Sequence, residues 1–585
     1  MGIAHISLIL VGLMWVLPFL YYRHAYPVTT FYQEWGAAIL GLCAMPLLLT
    51  QRYWQQPQIP RVVILPIGLM LLVLLQFALG KLAYFDQALL FTLYMMWAAL
   101  LIMLGQRLRV ELGLPVLATV LAAFLLLGAE LSAVAGVLQH YRWRTFLDAV
   151  ITVKSSSAIY GNVAQPNHFA NYIALGLASL GLLRMRWQLR AWQVVALAMP
   201  LLFVLVLSGS RSAGLYLLSM AALAYWWQRR DATIKPLMHY AILLLLGFGL
   251  MHLVVQMPWL TGATGSVTTG QRLFGEAQSG GIRLYLWRES WHIFTQFPML
   301  GAGFGQFAWQ HFLWVPQLQA TQVTGLYNNA HNLIMQLAVE MGVAGVAVLL
   351  ASLVPWLRQA MRNDRTMYHW WAYTVLTVLA IHSLLEYPLW YAYFLGIAAF
   401  TLGVLDYTTF RLDLRGVGRL TVASMLLLGA ITMAQLLSGY RTLEGVMAMR
   451  PESAADSSFY QRMNSKLEIV NNKPMLHPYA EYFMSGMIEP SSEQLAGKLE
   501  LNESVMHFVP VGPVVYRQAW LLALSEQPEQ AKLQLERAIW SYPADFVAAQ
   551  RELSDMARKD PAHFASLLEF AVQKNKEHQI AVHTN

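Results

Sequence analysis

His331 ends a polar stretch, Tyr327-Asn328-Asn329-Ala330-His331-Asn332, and Leu333 opens an apolar run that reaches Trp356. An imidazole at such a boundary between water and membrane can take a proton from a hydroxyl, because histidine titrates near pH 6.5, close to working pH. The plainer reading is a helix-start histidine that only hydrogen-bonds loop backbone. Three further polar groups fall at the same predicted ends of apolar runs. Ser208-Gly209-Ser210-Arg211-Ser212 is a tight turn, and a charge at that depth points to function unless it only snorkels to lipid phosphate. Gly161-Asn162-Val163-Ala164-Gln165-Pro166-Asn167-His168 leads into another run, with Pro166 suited to a helix entrance and the polar residues free to cap it. His382-Ser383-Leu384-Leu385-Glu386-Tyr387-Pro388 is a pivot in which His382 and Glu386 stand four residues apart, the spacing of a structural pair on one helix face. Tyr387 adds a hydroxyl donor.

Together these residues supply a candidate base, fixed cations and neutral hydrogen-bonding groups around one pocket. Arginine charge in that setting suits a departing diphosphate. The outer loops carry no paired-carboxylate motif of the kind that seats Mg²⁺ or Mn²⁺. The expectation is therefore chemistry without a metal or cofactor.

The elements that must position this pocket are membrane helices. The chain has 585 residues, of which 57% are hydrophobic and 12% charged. A span needs roughly 20 apolar residues to cross ~30 Å of hydrocarbon, and about thirteen such runs recur between residues 3 and 437. The predicted class is an all-α, polytopic membrane protein with a soluble α-helical tail. Alternate connections carry the positive charge, among them Arg107 and Arg109; Arg184, Arg186 and Arg190; Arg229, Arg230 and Lys235; and Arg358 and Arg362. The positive-inside rule places this set in the cytoplasm. The N-terminus is then cytoplasmic, and the segments 139–167, 257–331 and the tail from Ser438 lie outside, in the periplasm of a bacterium. The net charge of +8 is accounted for by topology, and no nucleic-acid partner is expected. The first run lacks a basic n-region and a cleavage site, and is read as a retained span.

Two outer regions stand apart. In the 257–331 loop, Gly281–Phe294 puts Leu284, Trp287, Trp291 and Phe294 on one helical face, as in a helix lying in the interface against membrane lipid, with Arg283 and Arg288 reaching toward phosphates. The tail, 438–585, has an ordinary soluble composition. Tyr516–Ser525 and Glu529–Tyr542 read as a helix–turn–helix with small residues at helical spacing, reminiscent of a tetratricopeptide pair without a clean 34-residue period.

The long loop ending in Asn329-Ala330-His331-Asn332-Leu333, the Ser208–Arg211 turn and the many spans resemble the O-antigen ligase/polymerase superfamily of bacterial inner-membrane enzymes. Gln165-Pro166-Asn167-His168, Glu386-Tyr387-Pro388 and the helical tail are similar to the protein O-oligosaccharyltransferases of the PglL type. That resemblance implies en bloc transfer of a preassembled oligosaccharide from undecaprenyl diphosphate to a Ser or Thr hydroxyl of a periplasmic or pilin-like acceptor protein. It implies that His331 activates the acceptor hydroxyl, with Gln165 and Tyr387 lining the catalytic site. Arg211, with Arg283 or Arg288, would bind the diphosphate, and Asn167, His168 and Asn332 would complete the substrate pocket. Two other readings stand beside it. One is an O-antigen ligase or polymerase with a lipid A core or glycan acceptor, for which a tail of this length has no evident use. The other is a transporter of lipid-linked sugar, which would place its ionisable groups mid-span.

Overall fold

In lipid every backbone N–H and C=O must be satisfied internally, so the apolar runs form helices. The computed structural model describes residues 2–584 apart from 155–156, 259, 261–277, 319–320, 322–323, 363–365, 413 and 452–457. That leaves 261–277 of the long loop outside the described residues. The helices up to the long loop are α1 (Ile3–Met14), α2 (Leu17–Leu20), α3 (Phe31–Ala44), α4 (Gln51–Gln55), α5 (Ile64–Ala78), α6 (Phe85–Leu112), α7 (Leu114–Tyr141), α8 (Pro166–Trp187), α9 (Ala191–Leu207), α10 (Ser212–Gln228) and α11 (Lys235–Val254). Then come α12 (Gln278–Gln296) and α13 (Phe307–Trp314) in the long loop, followed by α14 (Leu333–Ala360), α15 (Met367–Ser383), α16 (Ala392–Leu405) and α17 (Arg415–Met447).

Among the described residues, 8 helical segments are long and apolar enough to cross a membrane, and Ala191–Leu207 and Ala392–Leu405 are shorter apolar helices. The remaining predicted runs are α8, α10 and α15, which are less uniformly apolar for a physical reason. Every residue of α8 from His168 to Leu183 is buried, so it faces protein and not lipid. A helix in that position can carry Asn171 and Ser179. It is the central post of the bundle, and the candidate pocket sits at its N-terminal end. On the opposite side, β1 (Gln58–Pro60) and β2 (Thr409–Arg411) pair antiparallel, with Ile59 opposite Phe410.

α14 is broken. Gly342 adopts φ +63°, ψ −160° within it, and the carbonyls freed by the break are taken up by the segment 298–303. The N–H groups of Ala302 and Gly303 donate to Val339 and Glu340 (2.9 and 3.1 Å), while those of Val343 and Ala344 donate to Pro298 and Met299 (2.8 and 3.1 Å). The Gly-Ala-Gly-Phe-Gly run is thus a set of turns, with φ positive at Gly301, Gly303 and Gly305. A Cβ on Gly342 would meet the Met299 backbone at 2.5 Å. Gly342→Ala should therefore cost at least ~2 kcal/mol from strained φ and overpacking, read as a lowered melting temperature in detergent. An unchanged melt would show that the break is not rigid.

The tail continues as α18 (Phe459–Asn471), α19 (His477–Ser485), α20 (Leu495–Phe508), α21 (Gly512–Leu524), α22 (Pro528–Ser541), α23 (Phe546–Lys559) and α24 (Pro561–Thr584). Its core of Val515, Ala519, Trp520, Leu535, Ile539 and Leu553 also takes in Phe312 of α13. Trp309 packs against His507 with ring centroids 4.3 Å apart, and the Gly325 N–H donates to the Ser541 carbonyl at 2.7 Å. The long loop and the tail are one packed unit. α17 runs unbroken past residue 437 to Met447, where Tyr440 stacks on Phe31.

Candidate active site

The loop carrying His331 is held from several directions. Asn332 caps α14, its Oδ1 accepting the N–H groups of Ile334 and Met335 at 3.0 and 3.2 Å, which satisfies donors that the first turn leaves open. The Asn332 Nδ2 donates to the Leu384 carbonyl at 3.3 Å, tying this cap to the pivot after α15. Ala330 gives its N–H to Gln336 Oε1 at 2.7 Å and accepts from Trp287 Nε1 at 3.1 Å. Upstream, the Tyr327 ring packs on His311, whose Nδ1 meets both oxygens of buried Glu289 at 2.9 and 3.0 Å. His331 itself takes a left-handed backbone, φ +50°, and its N–H goes to Asn329 Oδ1 at 2.7 Å. A non-glycine residue there is strained and persists only where the surroundings enforce it.

That geometry brings the His331 Nδ1 to 2.9 Å from Glu386 Oε2, with the carboxylate side chain 3% exposed and the imidazole 27%. The other oxygen, Oε1, accepts from Asn167 Nδ2 at 2.7 Å and from Arg283 Nη2 at 2.8 Å. Burial alone would raise the Glu386 pKa. The hydrogen bond from His331, with the Arg283 guanidinium beside it, outweighs burial and holds the carboxyl below its usual value, so it is ionised at neutral pH. An ionised carboxylate only accepts. His331 must then carry its proton on Nδ1, leaving a lone pair on Nε2, which has no hydrogen-bond partner among the described residues. This is a carboxylate-oriented imidazole, the pairing used to set the tautomer of a general base.

The Tyr387 ring touches both histidines, 5.3 Å from His331 and 5.9 Å from His168 between centroids. Burial pushes its hydroxyl pKa upward, so it remains a donor. Gln165 is the N-cap of α8, with Oε1 accepting the His168 N–H at 2.5 Å. Its Nε2 has no partner among the described residues. Asn167, Arg283 and His331 thus meet on one carboxylate, Tyr387 lies against His331 and His168, and Gln165 and Asn332 border them through the His168 N–H and the Leu384 carbonyl. Arg211 opens α10 behind Gly209, whose φ is +64°, and Tyr216 on the next turns of that helix reaches the His382 Nδ1 at 2.9 Å. Of the two loop arginines, Arg283 is on Glu386 while Arg288 is exposed on another side of α12. The outward residues of α12 include Leu284 and Trp291, 66% and 61% exposed, whereas Trp287 of the same predicted face turns to the Ala330 carbonyl.

The expected side-chain pair of His382 with Glu386 does not form. α15 ends at Ser383, and the chain turns so that only the Glu386 N–H reaches the His382 carbonyl, at 2.8 Å. His382 instead bonds His168, Nε2 to Nδ1 at 2.9 Å. Sequence reasoning therefore missed Glu386 as the hub. The available signal was an ionisable residue at the membrane boundary, which is a functional candidate by default. Among the described residues no three His, Cys, Asp or Glu side chains converge as a metal site. An apolar cleft of about 360 Å³ opens beside the pocket, lined by Leu65, Phe91, Ile102, Leu333, Trp390 and Leu402.

Comparison with known proteins agrees with this arrangement. Residues 196–350 match the family described as O-antigen ligase, residues 159–183 that described as protein glycosylation ligase, and residues 370–554 that described as virulence factor membrane-bound polymerase, C-terminal. Over 445 residues the chain is 25% identical to a general O-oligosaccharyltransferase of Acinetobacter baylyi, covering 74% of this chain and 75% of that relative. The glycosylation-ligase match falls on the Gln165–His168 segment, and the O-antigen ligase match spans Arg211, Arg283 and His331. With a multi-pass helical fold and a carboxylate-held histidine where these matches meet, the chain is similar to the membrane oligosaccharyltransferases of the O-antigen ligase and protein glycosylation ligase families.

Proposed function

We propose that the protein transfers a preassembled oligosaccharide en bloc from undecaprenyl diphosphate to a Ser or Thr hydroxyl of a periplasmic or pilin-like protein. The observation that carries this reading is His331, held by Glu386 with Nε2 open. The acceptor O–H gives its proton to Nε2 as its oxygen bonds the anomeric carbon. The bond from that carbon to the diphosphate oxygen breaks, and undecaprenyl diphosphate leaves. Glu386 stabilises the imidazolium that forms, and Arg211 and Arg283 offer charge to the diphosphate. Gln165 and Tyr387 present uncharged donors. No metal enters these steps. The apolar cleft reaching Leu333 and Trp390 is a fitting berth for the prenyl chain, since it ends beside the histidine.

In this reading the enzyme sits in the bacterial inner membrane with its N-terminus cytoplasmic. Residues 1–437 form the transferase domain and 438–585 a periplasmic one. A protein acceptor is supported by the helical tail, whose core takes in Phe312 of α13 in the long loop that ends at His331. The test is the intact mass of periplasmic and pilin-like proteins with and without the chain. A glycan mass shift on protein is expected. A shift confined to lipopolysaccharide would favour the O-antigen ligase reading.

Two further outcomes are expected. Reporter fusions at Asn472 should read periplasmic and those at Arg362 cytoplasmic; a cytoplasmic Asn472 would remove the tail from the acceptor side. Arg211→Ala should lower transfer ~10²-fold or more, and Arg211→Lys should recover part of it, because lysine keeps the charge but not the planar fork. Full transfer by Arg211→Ala at normal protein level would leave Arg211 as a topological residue.

A further inference from the structure

A second polar pocket lies at the end of the bundle away from the candidate active site. α6 begins at Phe85, next to Tyr84, whose hydroxyl donates to Glu481 of the tail. Arg107 is about six turns further along, ~33 Å at 1.5 Å per residue, which is close to the thickness of the hydrocarbon layer. It therefore stands at the headgroup level opposite the tail. There Arg52, Tyr53, Gln58, Gln106, Arg107 and Val110 line a pocket of about 410 Å³.

Two features separate this pocket from the arginines that ordinarily flank membrane helices. Its polar atoms are unmet inside protein. Tyr53 and Gln106 are 2% and 1% exposed, yet the Tyr53 hydroxyl, the Gln106 Oε1 and the Arg107 Nε are all buried without a hydrogen-bond partner. Buried polar groups are rarely left so in native proteins. The second feature is fixed positive charge beside those atoms. The Arg107 guanidinium lies 5.5 Å from the Tyr53 ring centroid, and its Nη2 pairs with Glu111 one turn on. Gln106 Nε2 donates to Gln58 Oε1 at 3.1 Å, which ties α6 to β1. Arg411 stands opposite Gln58 in the β1–β2 pair, and directly opposed residues share a face. Glu111 offsets one cation, and Arg52 and Arg411 keep the pocket positive.

We propose that this pocket binds a phosphate group, carried by an anionic phospholipid of the leaflet opposite the active site. The unmet atoms name the ligand. The Tyr53 O–H and the Arg107 Nε–H offer donors, and with the exposed Arg52 guanidinium they suit an anion that presents several acceptor oxygens at once. The Gln106 amide serves a neighbouring donor or acceptor, depending on which way it and Gln58 are turned. Val110, also on the lining, is 55% exposed, so one wall is apolar and open at the level of the lipid. Basic pockets between helices at this depth are where anionic headgroups are held. A free phosphate has the same chemistry, and the arms of the test separate the two sources.

The test is calorimetric titration of the detergent-solubilised full chain with dioctanoyl phosphatidylglycerol, dioctanoyl phosphatidylcholine and inorganic phosphate. Phosphatidylglycerol should bind saturably, and phosphatidylcholine more weakly because the arginines repel its ammonium. Tyr53→Phe keeps ring and charge but removes the O–H, and should weaken phosphatidylglycerol about tenfold, the usual scale for one hydrogen bond to a charged group. Arg52→Gln should weaken it at least as much. Arg230→Gln, an exposed arginine of another connection, should bind as the wild type does. Attraction by overall charge alone would leave Tyr53→Phe at wild-type affinity and make the two arginine variants equal, and either result would overturn the proposal. Melting without lipid separates binding from folding. Tyr53→Phe removes an unmet hydroxyl, so it should melt at or above the wild-type temperature, and added phosphatidylglycerol should raise it less than it raises the wild type. A lower melt without lipid would mean that the protein itself satisfies the hydroxyl, which overturns the proposal, as does a wild-type chain that binds neither phosphatidylglycerol nor phosphate. Inorganic phosphate binding as tightly as the lipid, with the same dependence on Tyr53, would uphold the phosphate site and overturn its lipid source.

Discussion

His331→Ala should leave the protein in the membrane and able to bind lipid-linked donor, yet transfer glycan about 10²–10⁴-fold more slowly, the range that general-base assistance supplies. A Ser or Thr hydroxyl is a poor nucleophile until a neighbour accepts its proton. The diphosphate is already a good leaving group, so acceptor activation is a large share of the remaining barrier. The structure isolates this role in one atom. Nδ1 is committed to Glu386, and Nε2 remains for the substrate. The decisive comparison is with His168→Ala, assayed for donor binding and transfer side by side. If His331→Ala transfers at the wild-type rate while His168→Ala does not, the base has been misassigned and the site must be redrawn around Gln165–His168.

Most of the membrane architecture was legible in the sequence because lipid enforces it. A backbone that must bond to itself makes apolar runs into helices, and the runs predicted from 3–22 to 419–437 all contain helix. The pocket was legible in part. His331, Gln165, Asn167, His168 and Tyr387 could be named because polar residues at the ends of apolar runs are conspicuous. Their connections could not. Glu386 looked like a helix-face partner of His382 because the spacing allows it, but where a helix ends is a tertiary matter. Ending at Ser383, α15 sends the carboxylate to His331, Asn167 and Arg283, residues 55, 219 and 103 positions away. Likewise, the choice between Arg283 and Arg288 depends on how α12 is rolled against α14. Trp287 and Glu289 decide that roll through bonds to Ala330 and His311. The break at Gly342 was also hidden, since its partner segment, 298–303, lies a whole loop away.

Glu386→Gln should be nearly as damaging to transfer as His331→Ala. The amide is almost isosteric, but it cannot hold His331 in one tautomer, because its N–H₂ can donate to Nδ1 as readily as its oxygen accepts. It also removes the charge that stabilises the imidazolium. Loss of an orienting carboxylate can cost about 10⁴-fold where tautomer control is strict, and a drop of ~10²–10⁴ is expected here. The variant should also be less stable at neutral pH, since Arg283 loses its counter-charge. The sign with pH follows from the depressed pKa of Glu386. A carboxyl whose folded pKa lies below its unfolded value stabilises the fold above the unfolded value, about 4.3 for glutamate, and that contribution is lost as pH falls through the folded one. The gap in melting temperature between wild type and Glu386→Gln should therefore be full at pH 7 and narrow on acidification below ~4.3. The double variant separates orientation from any independent role. Groups that act as a unit are strongly non-additive, so Glu386→Gln in the His331→Ala background should cost little further activity. A second full loss in that background would mean that Glu386 acts through Arg283 on the diphosphate, and the hub would belong to the leaving group instead of the base.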